Sequence, residues 1–169
     1  MRGAAVGGAR AEGERRHIPA RLLPWFDAMI GEAGTPEPFS WPVRVYYEDT
    51  DAGGVVYYAN YLKFTERART EWLRALGFDQ TTLAQREKIA FVVRSVAIDF
   101  LAPARFDDEL RVTVELIKVG AGQIDLNQRV LRGDALLATA MAKIVCVRLP
   151  AMRPVRLPQP LATIIRTRN

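Results

Sequence analysis

The densest concentration of reactive side chains is Glu48-Asp49-Thr50-Asp51-Ala52-Gly53-Gly54, where three carboxylates fall within four residues and two glycines follow. Two readings fit these residues. In one, the segment is an Asp/Gly turn whose charge complements the positive end of the helix that follows. In the other, a carboxylate attacks a carbonyl or activates water, while unpaired N–H groups at the helix start hold the developing oxyanion. The second suits hydrolysis of an activated carbonyl. A thioester is the natural candidate, because a thiolate leaves with far less protonation than an amine. The glycines would let the backbone come close to a substrate.

The remaining composition narrows the chemistry. His17 is the only histidine and Cys146 the only cysteine, so an internal disulfide and a Cys/His zinc site are excluded on count. His17 lies in a Gly/Arg/Glu-rich stretch, far in sequence from any nucleophile, which argues against Ser-His-Asp or Cys-His catalysis. It also argues against a dehydratase that pairs a histidine with a carboxylate. Cys146 sits in the apolar run Lys143-Ile144-Val145-Cys146-Val147 and reads as a buried thiol in a reducing compartment.

The acidic cluster must be held by its neighbours. Before it, Val43, Val45 and Tyr47 alternate with Arg44 and Tyr46, which predicts a strand over 42–48 with those three on one face. After it, Tyr61, Phe64, Ala68, Trp72 and Leu76 fall at spacings of three and four, which predicts a helix from Tyr58 to Leu76 with Gly77 as its C-cap. Arg67 and Arg69 on that helix read as solvated or as ion-pair partners of Glu66 and Glu71. A second short helix is expected over 81–88. Strands are expected over 89–101, 110–116, 123–131 and 135–148, the last three joined by the Gly120-Ala121-Gly122 and Arg132-Gly133-Asp134 turns, hence antiparallel. The proline-rich end, with Pro150, Pro154, Pro158 and Pro160, is expected to be mostly extended. One long helix can cover only one face of such a sheet. The other face and the edges then need a partner.

Residues 1–40 read as an extension: disordered to about 18, a short amphipathic helix from about 20 to 31, then a linker. A domain over 41–158 and a tail over 159–169 follow. The chain has 169 residues, 49% hydrophobic and 25% charged, enough for one domain with a sizeable core. The net charge of +5 is concentrated in the termini, and no recognition helix or aromatic-plus-basic RNA motif is present, so no nucleic-acid partner is expected. No apolar stretch is long enough to span a membrane and the N-terminus lacks a secretory signal, so a cytoplasmic location is expected.

The string Val43 to Leu73, VRVYYEDTDAGGVVYYANYLKFTERARTEWL, closely resembles the hotdog-fold thioesterases of the 4-hydroxybenzoyl-CoA thioesterase family, and most of all the Tol-Pal-associated acyl-CoA thioesterase branch. The resemblance continues through FVVRSVAIDFLAPARFDDEL, Phe91 to Leu110, and reaches about residue 158. It implies an α+β hotdog fold, an antiparallel sheet wrapped around one long central helix. It implies hydrolysis of acyl-CoA with Asp51 as catalytic carboxylate, Asp49 as a supporting residue, and no metal or cofactor. Gly54 and Val55 would line the reaction centre, backbone N–H groups near Tyr58 would polarise the carbonyl, and Tyr61 would mainly pack. The Tol-Pal-associated branch carries histidine where this chain has Tyr58; the hydroxybenzoyl enzymes carry tyrosine. Coenzyme A phosphates would lie near basic side chains, for which Lys118 and Arg148 are the candidates. The active site would sit at a homodimer interface, partly lined by the other copy's strand near Ala90 to Val92, with dimers pairing into homotetramers. An acyl carrier protein or the Tol-Pal complex is a further partner the resemblance suggests, in the cytoplasm or at the periphery of the inner membrane. The non-enzymatic alternative is an acyl-thioester-binding scaffold tied to that envelope system.

Overall fold

A six-stranded antiparallel sheet takes up the alternating segments, and one helix lies across it. The computed structural model describes residues 37–167. The expectations for residues 1–36, including His17 and the short amphipathic helix, lie outside these residues. The elements are β1 (Phe39–Arg44), α1 (Asn60–Ala75), α2 (Gln80–Thr82, continued by a wider π turn over Leu83–Glu87), β2 (Ile89–Phe100), β3 (Glu109–Val119), β4 (Gln123–Arg132), β5 (Ala135–Arg148), β6 (Arg153–Pro154) and α3 (Gln159–Thr167). The strands lie in the order β1-β3-β4-β5-β2, and β6 pairs with β5. β2 is therefore an edge strand, 12 residues long. This is the hotdog arrangement, a curled antiparallel sheet holding a central helix.

Period-two burial is clearest in β4, where Ile124, Leu126, Gln128 and Val130 are buried and their neighbours are only partly covered. Those side chains face α1, which presents Tyr61, Phe64, Thr65, Ala68 and Leu73 to the core. Phe64 and Ala68 are fully buried. The small Ala68 lets the helix lie close to the sheet, and Phe64 alone contributes about 2–3 kcal/mol of apolar burial. Trp72 and Leu76, expected on the same stripe, are only partly buried, because the face drifts toward Leu73 at the helix end. Gly77, at φ +89°, ends the helix: its N–H donates to the Arg74 carbonyl and that of Phe78 to the Leu73 carbonyl, the Schellman pattern.

The buried Gln128 carries a polar link between sheet and helix. Its side-chain amide donates to the Thr65 carbonyl at 3.0 Å, and its carbonyl oxygen accepts from Arg69 Nη1 at 2.7 Å. Arg69 is thus half-buried and bound to an amide, not solvated or paired with Glu66 or Glu71 as expected. Glu71 pairs instead with Arg74, and Glu66 accepts from the Thr70 hydroxyl.

Two ends differ from expectation. β1 begins at Phe39 and stops at Arg44, and Tyr47 is 76% exposed, with its ring stacked on Phe106. The chain turns there because the Asp49 carboxylate accepts the Tyr46 N–H. After Pro158 the chain is not extended: α3 buries Leu161, Ala162 and Ile165 and packs on β3. The segment leading to it is pinned, since Val155 N–H donates to the Cys146 carbonyl and Leu157 N–H to that of Ala121. The crossing is so close that a Cβ on Gly122 would sit 2.3 Å from the Val155 carbonyl oxygen.

Candidate active site

The acidic cluster folds as two tight turns that treat its aspartates differently. Asp49 is buried; besides its carboxylate bond to the Tyr46 N–H, its carbonyl accepts from the Tyr57 N–H and from the Asn60 side chain, both at 2.9 Å. Its side chain thus holds the loop to the chain leaving β1, and its backbone carbonyl holds it to the first turn of α1. Asp51 is exposed. Its Oδ1 accepts the Gly53 N–H at 2.7 Å, its N–H donates to Val55, and its carbonyl accepts from Gly54. Gly54 holds φ +70°, a conformation that costs a side-chain-bearing residue about 1–2 kcal/mol. A Cβ at Gly53 would press on Asp51 Oδ1 at 3.0 Å. The two glycines therefore let the chain wrap around the Asp51 side chain, leaving the carboxylate facing outward.

The loop leads straight into α1. Among the described residues, the N–H groups of Tyr58 and Ala59 donate to no carbonyl, whereas those of Asn60, Tyr61 and Leu62 close the first turns onto Tyr57, Tyr58 and Ala59. The helix therefore starts at Asn60, two residues later than the periodicity predicts. Tyr57 and Tyr58 stand side by side with ring centroids 4.6 Å apart. The Tyr57 phenol is held above its ordinary range, first by the neighbouring Tyr58 hydroxyl and, among lesser causes, by the negative charge of Asp51.

A second segment braces this loop. Ala104 accepts the Val56 N–H at 2.9 Å and donates its own N–H to the buried Tyr61 hydroxyl at 3.0 Å. Tyr61 thus packs and also bonds. Burial pushes its phenol upward. Asp108, two residues past the stacked Phe106, accepts from the Arg105 N–H and from Arg132. The A-P-A-R-x-D-D segment is thereby a folded brace. Phe100, at the end of β2, meets both Tyr58 and Tyr61 edge-on, at 6.5 and 5.2 Å between centroids. Its aromatic type in an edge strand next to the A-P-A segment was the available sequence signal for its place here.

Asp51, Gly54, Val55 and Tyr58 share this one loop. Lys118 and Arg148 do not. Lys118 stands opposite Asp125 at the far end of β3. Arg148 ends β5 opposite Ile89 and donates to the Glu87 carbonyl at 2.9 Å. Phe100 pairs with Ala138, ten strand positions away, or about 33 Å along β5. The surface around the loop and β2 is apolar and open: Tyr58, Val93, Val96, Phe100 and Leu101 are all exposed. No helix of the described residues is long and apolar enough to cross a membrane.

Comparison with known proteins agrees with this architecture. An acyl-CoA thioesterase of Haemophilus influenzae, YbgC, is 52% identical over 121 residues, covering 72% of this chain and 89% of the relative. An acyl-CoA thioester hydrolase of Escherichia coli, also YbgC, is 48% identical over 122 residues, covering 72% and 90%. The crystal structure of a 1,4-dihydroxy-2-naphthoyl-CoA thioesterase from Synechocystis superposes with a TM-score of 0.71 at 30% identity, covering 77% of this chain and 96% of that one. Residues 45–165, from the last core valine before the acidic loop to the final buried isoleucine of α3, match the thioesterase-like superfamily, and the chain belongs to that family of hotdog proteins.

Proposed function

We propose that the chain hydrolyses acyl-CoA to the free acid and coenzyme A, with Asp51 as the carboxylate that does the chemistry. The observation that carries this reading is the pairing of an outward-facing Asp51 with open N–H groups at Tyr58 and Ala59, all in one loop at the positive end of α1. The N–H groups would polarise the thioester carbonyl and hold its oxygen as charge develops. Asp51 would then attack the carbon, expelling the thiolate and leaving a mixed anhydride that water opens. Alternatively, it would take a proton from a water that attacks in its place. The identity to thioesterases across most of their length supports the reaction class.

We further propose that two copies pair along β2 and that the site is completed there. An open edge strand of 12 residues flanked by exposed Val93, Val96, Phe100 and Leu101 is the kind of surface a second copy covers. Antiparallel pairing of β2 with itself sets the Ile89 end of one copy beside the Phe100 end of the other. Of the two basic candidates for the coenzyme A phosphates, Arg148 lies at that Ile89 end, while Lys118 stands two strands further in, on β3. Covering the loop would also remove Asp51 from bulk water, where a carboxylate is a poorer nucleophile. A coenzyme A thioester as substrate supports a cytoplasmic location.

The test is free-thiol release across short, long and aromatic acyl-CoAs, with Asp51→Asn as the comparison. Asparagine keeps an oxygen for the Gly53 N–H, so the loop should persist while turnover falls by about 100-fold or more. An Asp51→Asn protein as fast as the parent would remove Asp51 from the mechanism. Failure to cleave any of the panel would favour a scaffold that only binds acyl thioesters. In a single turnover in oxygen-18 water, label in the protein's carboxylate identifies attack by Asp51; label confined to the product acid means that water adds at the acyl carbon, either of the thioester itself or of the anhydride.

A further inference from the structure

Away from the acidic loop, the C-terminal half of α1 roofs a cavity of about 70 Å³ against the first half of β2. Its walls are mostly apolar, among them Trp72, Phe91, Ile124 and Ile144, yet Glu66, Arg69, Thr70 and Gln80 also line it. That is an unusual place for a guanidinium. Arg69 is half-buried, its Nη1 is bound to the Gln128 amide, and among the described residues it pairs with no carboxylate. Guanidinium has five N–H donors, so most of them are left for something else. Loss of solvent around it weakens its hold on its own proton, which Glu66 only partly offsets. Glu66 gives one oxygen to the Thr70 hydroxyl, which in turn accepts from Gln80. Its other oxygen has no hydrogen-bond partner among the described residues.

We propose that this cavity receives the far end of the acyl group and that Arg69 and Glu66 together select a hydroxyl there. The inference rests on the thioesterase reading for the identity of the ligand. A hydroxyl accepts from Arg69 and donates to Glu66, satisfying both. A carboxylate end would face Glu66 and an ammonium end would face Arg69, each with a like charge. A plain alkyl end would cover the guanidinium without giving its donors a partner. The cavity has room for only the last few non-hydrogen atoms of a chain, so it reads the end of the acyl group and not its length. Nine residues separate Asn60 from Arg69, about 13 Å along the helix. In the antiparallel β2 pair, Phe91 and Val93 of one copy come beside the acidic loop of the second. The carboxylate serving each cavity is then the second copy's Asp51.

The experiment compares acyl-CoAs of one carbon skeleton with and without a terminal hydroxyl, 4-hydroxybenzoyl-CoA against benzoyl-CoA and 4-hydroxybutyryl-CoA against butyryl-CoA. The parent protein should favour the hydroxylated member of at least one pair in kcat/KM by about ten-fold or more, as a site built around a hydroxyl does. Arg69→Met and Glu66→Met should each bring that ratio toward one, with Arg69→Lys between. Glu66 is exposed, so Glu66→Met carries the test even where Arg69→Met does not fold. A parent ratio near one for both pairs, or a ratio that neither methionine variant changes, overturns the proposal. Calorimetric titration of the matching non-hydrolysable CoA thioethers separates the two ideas. If nothing is cleaved but the hydroxylated thioether still binds about ten-fold tighter, the hydrolysis reading fails and the subsite stands. Equal binding of the two thioethers removes the subsite whatever the turnover.

Discussion

Tyr61→Phe isolates one hydrogen bond inside the brace behind the acidic loop. The Tyr61 side chain is 3% exposed and Ala104 is fully buried, and the phenol oxygen accepts the Ala104 N–H at 3.0 Å. Phenylalanine keeps the ring and its contacts with Phe64 and Phe100 but leaves that N–H in the interior with no acceptor. An orphaned buried donor costs about 1–3 kcal/mol. At about 2–4 °C per kcal/mol for a chain of this size, thermal melting followed by circular dichroism should fall by about 2–12 °C. The carbonyl of the same Ala104 holds the Val56 N–H, so slack at residue 104 reaches the loop of Asp51. Acyl-CoA turnover should therefore fall too, though by less than in Asp51→Asn. Because burial raises the Tyr61 phenol above its usual 10.0, the unfolded chain loses this proton first, and the group's stabilisation is complete below pH 10 and lost as pH rises through the higher folded value. The parent's melting temperature should fall across that alkaline window with a steeper slope than that of Tyr61→Phe. A Tyr61→Phe protein that melts within 1 °C of the parent and shows the same alkaline slope would refute the bond and the account built on it.

Gly122→Ala forces a Cβ against the Val155 carbonyl oxygen and should cost about 1–3 kcal/mol, read by urea denaturation; an unchanged midpoint would mean the C-terminal segment moves aside freely. Cys146 is fully buried and its thiol is pushed upward from 9.0 by that burial, so a thiol reagent at neutral pH should label it only after denaturation. Rapid labelling of the folded protein would contradict its placement. Val96→Arg puts a charge on the exposed edge strand and should shift sedimentation from two copies to one with loss of turnover. An unaltered assembly would move the interface elsewhere. Gly54→Ala should lower turnover, since the turn around Asp51 needs a positive φ.

The strands and the long helix were legible because their periods are strong. β5 and the start of β2 fall where alternation places them, and Gly77 ends α1 through its φ of +89°. Ends were harder to read. The terminal helix was hidden because its prolines, Pro158 and Pro160, fall before or within its first turn, where proline is tolerated, yet they read as an extended tail. Tyr47 was misplaced because alternation continues in sequence past Arg44, where the strand ends, into the turn that Asp49 closes on the Tyr46 N–H. Within the candidate site, the stretch from Asp51 to Tyr58 could be read as one loop because it is continuous in sequence. The brace from Ala104 was not, since only the fold brings residue 104 to residues 56 and 61. Gln128 did leave a trace: it is an amide at a position where its strand otherwise buries Ile124, Leu126 and Val130.

That amide has a consequence for how the molecule keeps time with itself. Greasy surfaces slide and rotate over one another at little cost, because dispersion has no preferred direction. Gln128 grips the Thr65 carbonyl with one end and Arg69 with the other, so the helix can neither creep along its axis nor roll without breaking both. The acidic loop lies at one end of that helix and the arginine-lined cavity near the other. A single glutamine therefore keeps the two in phase, like a pin through a shaft.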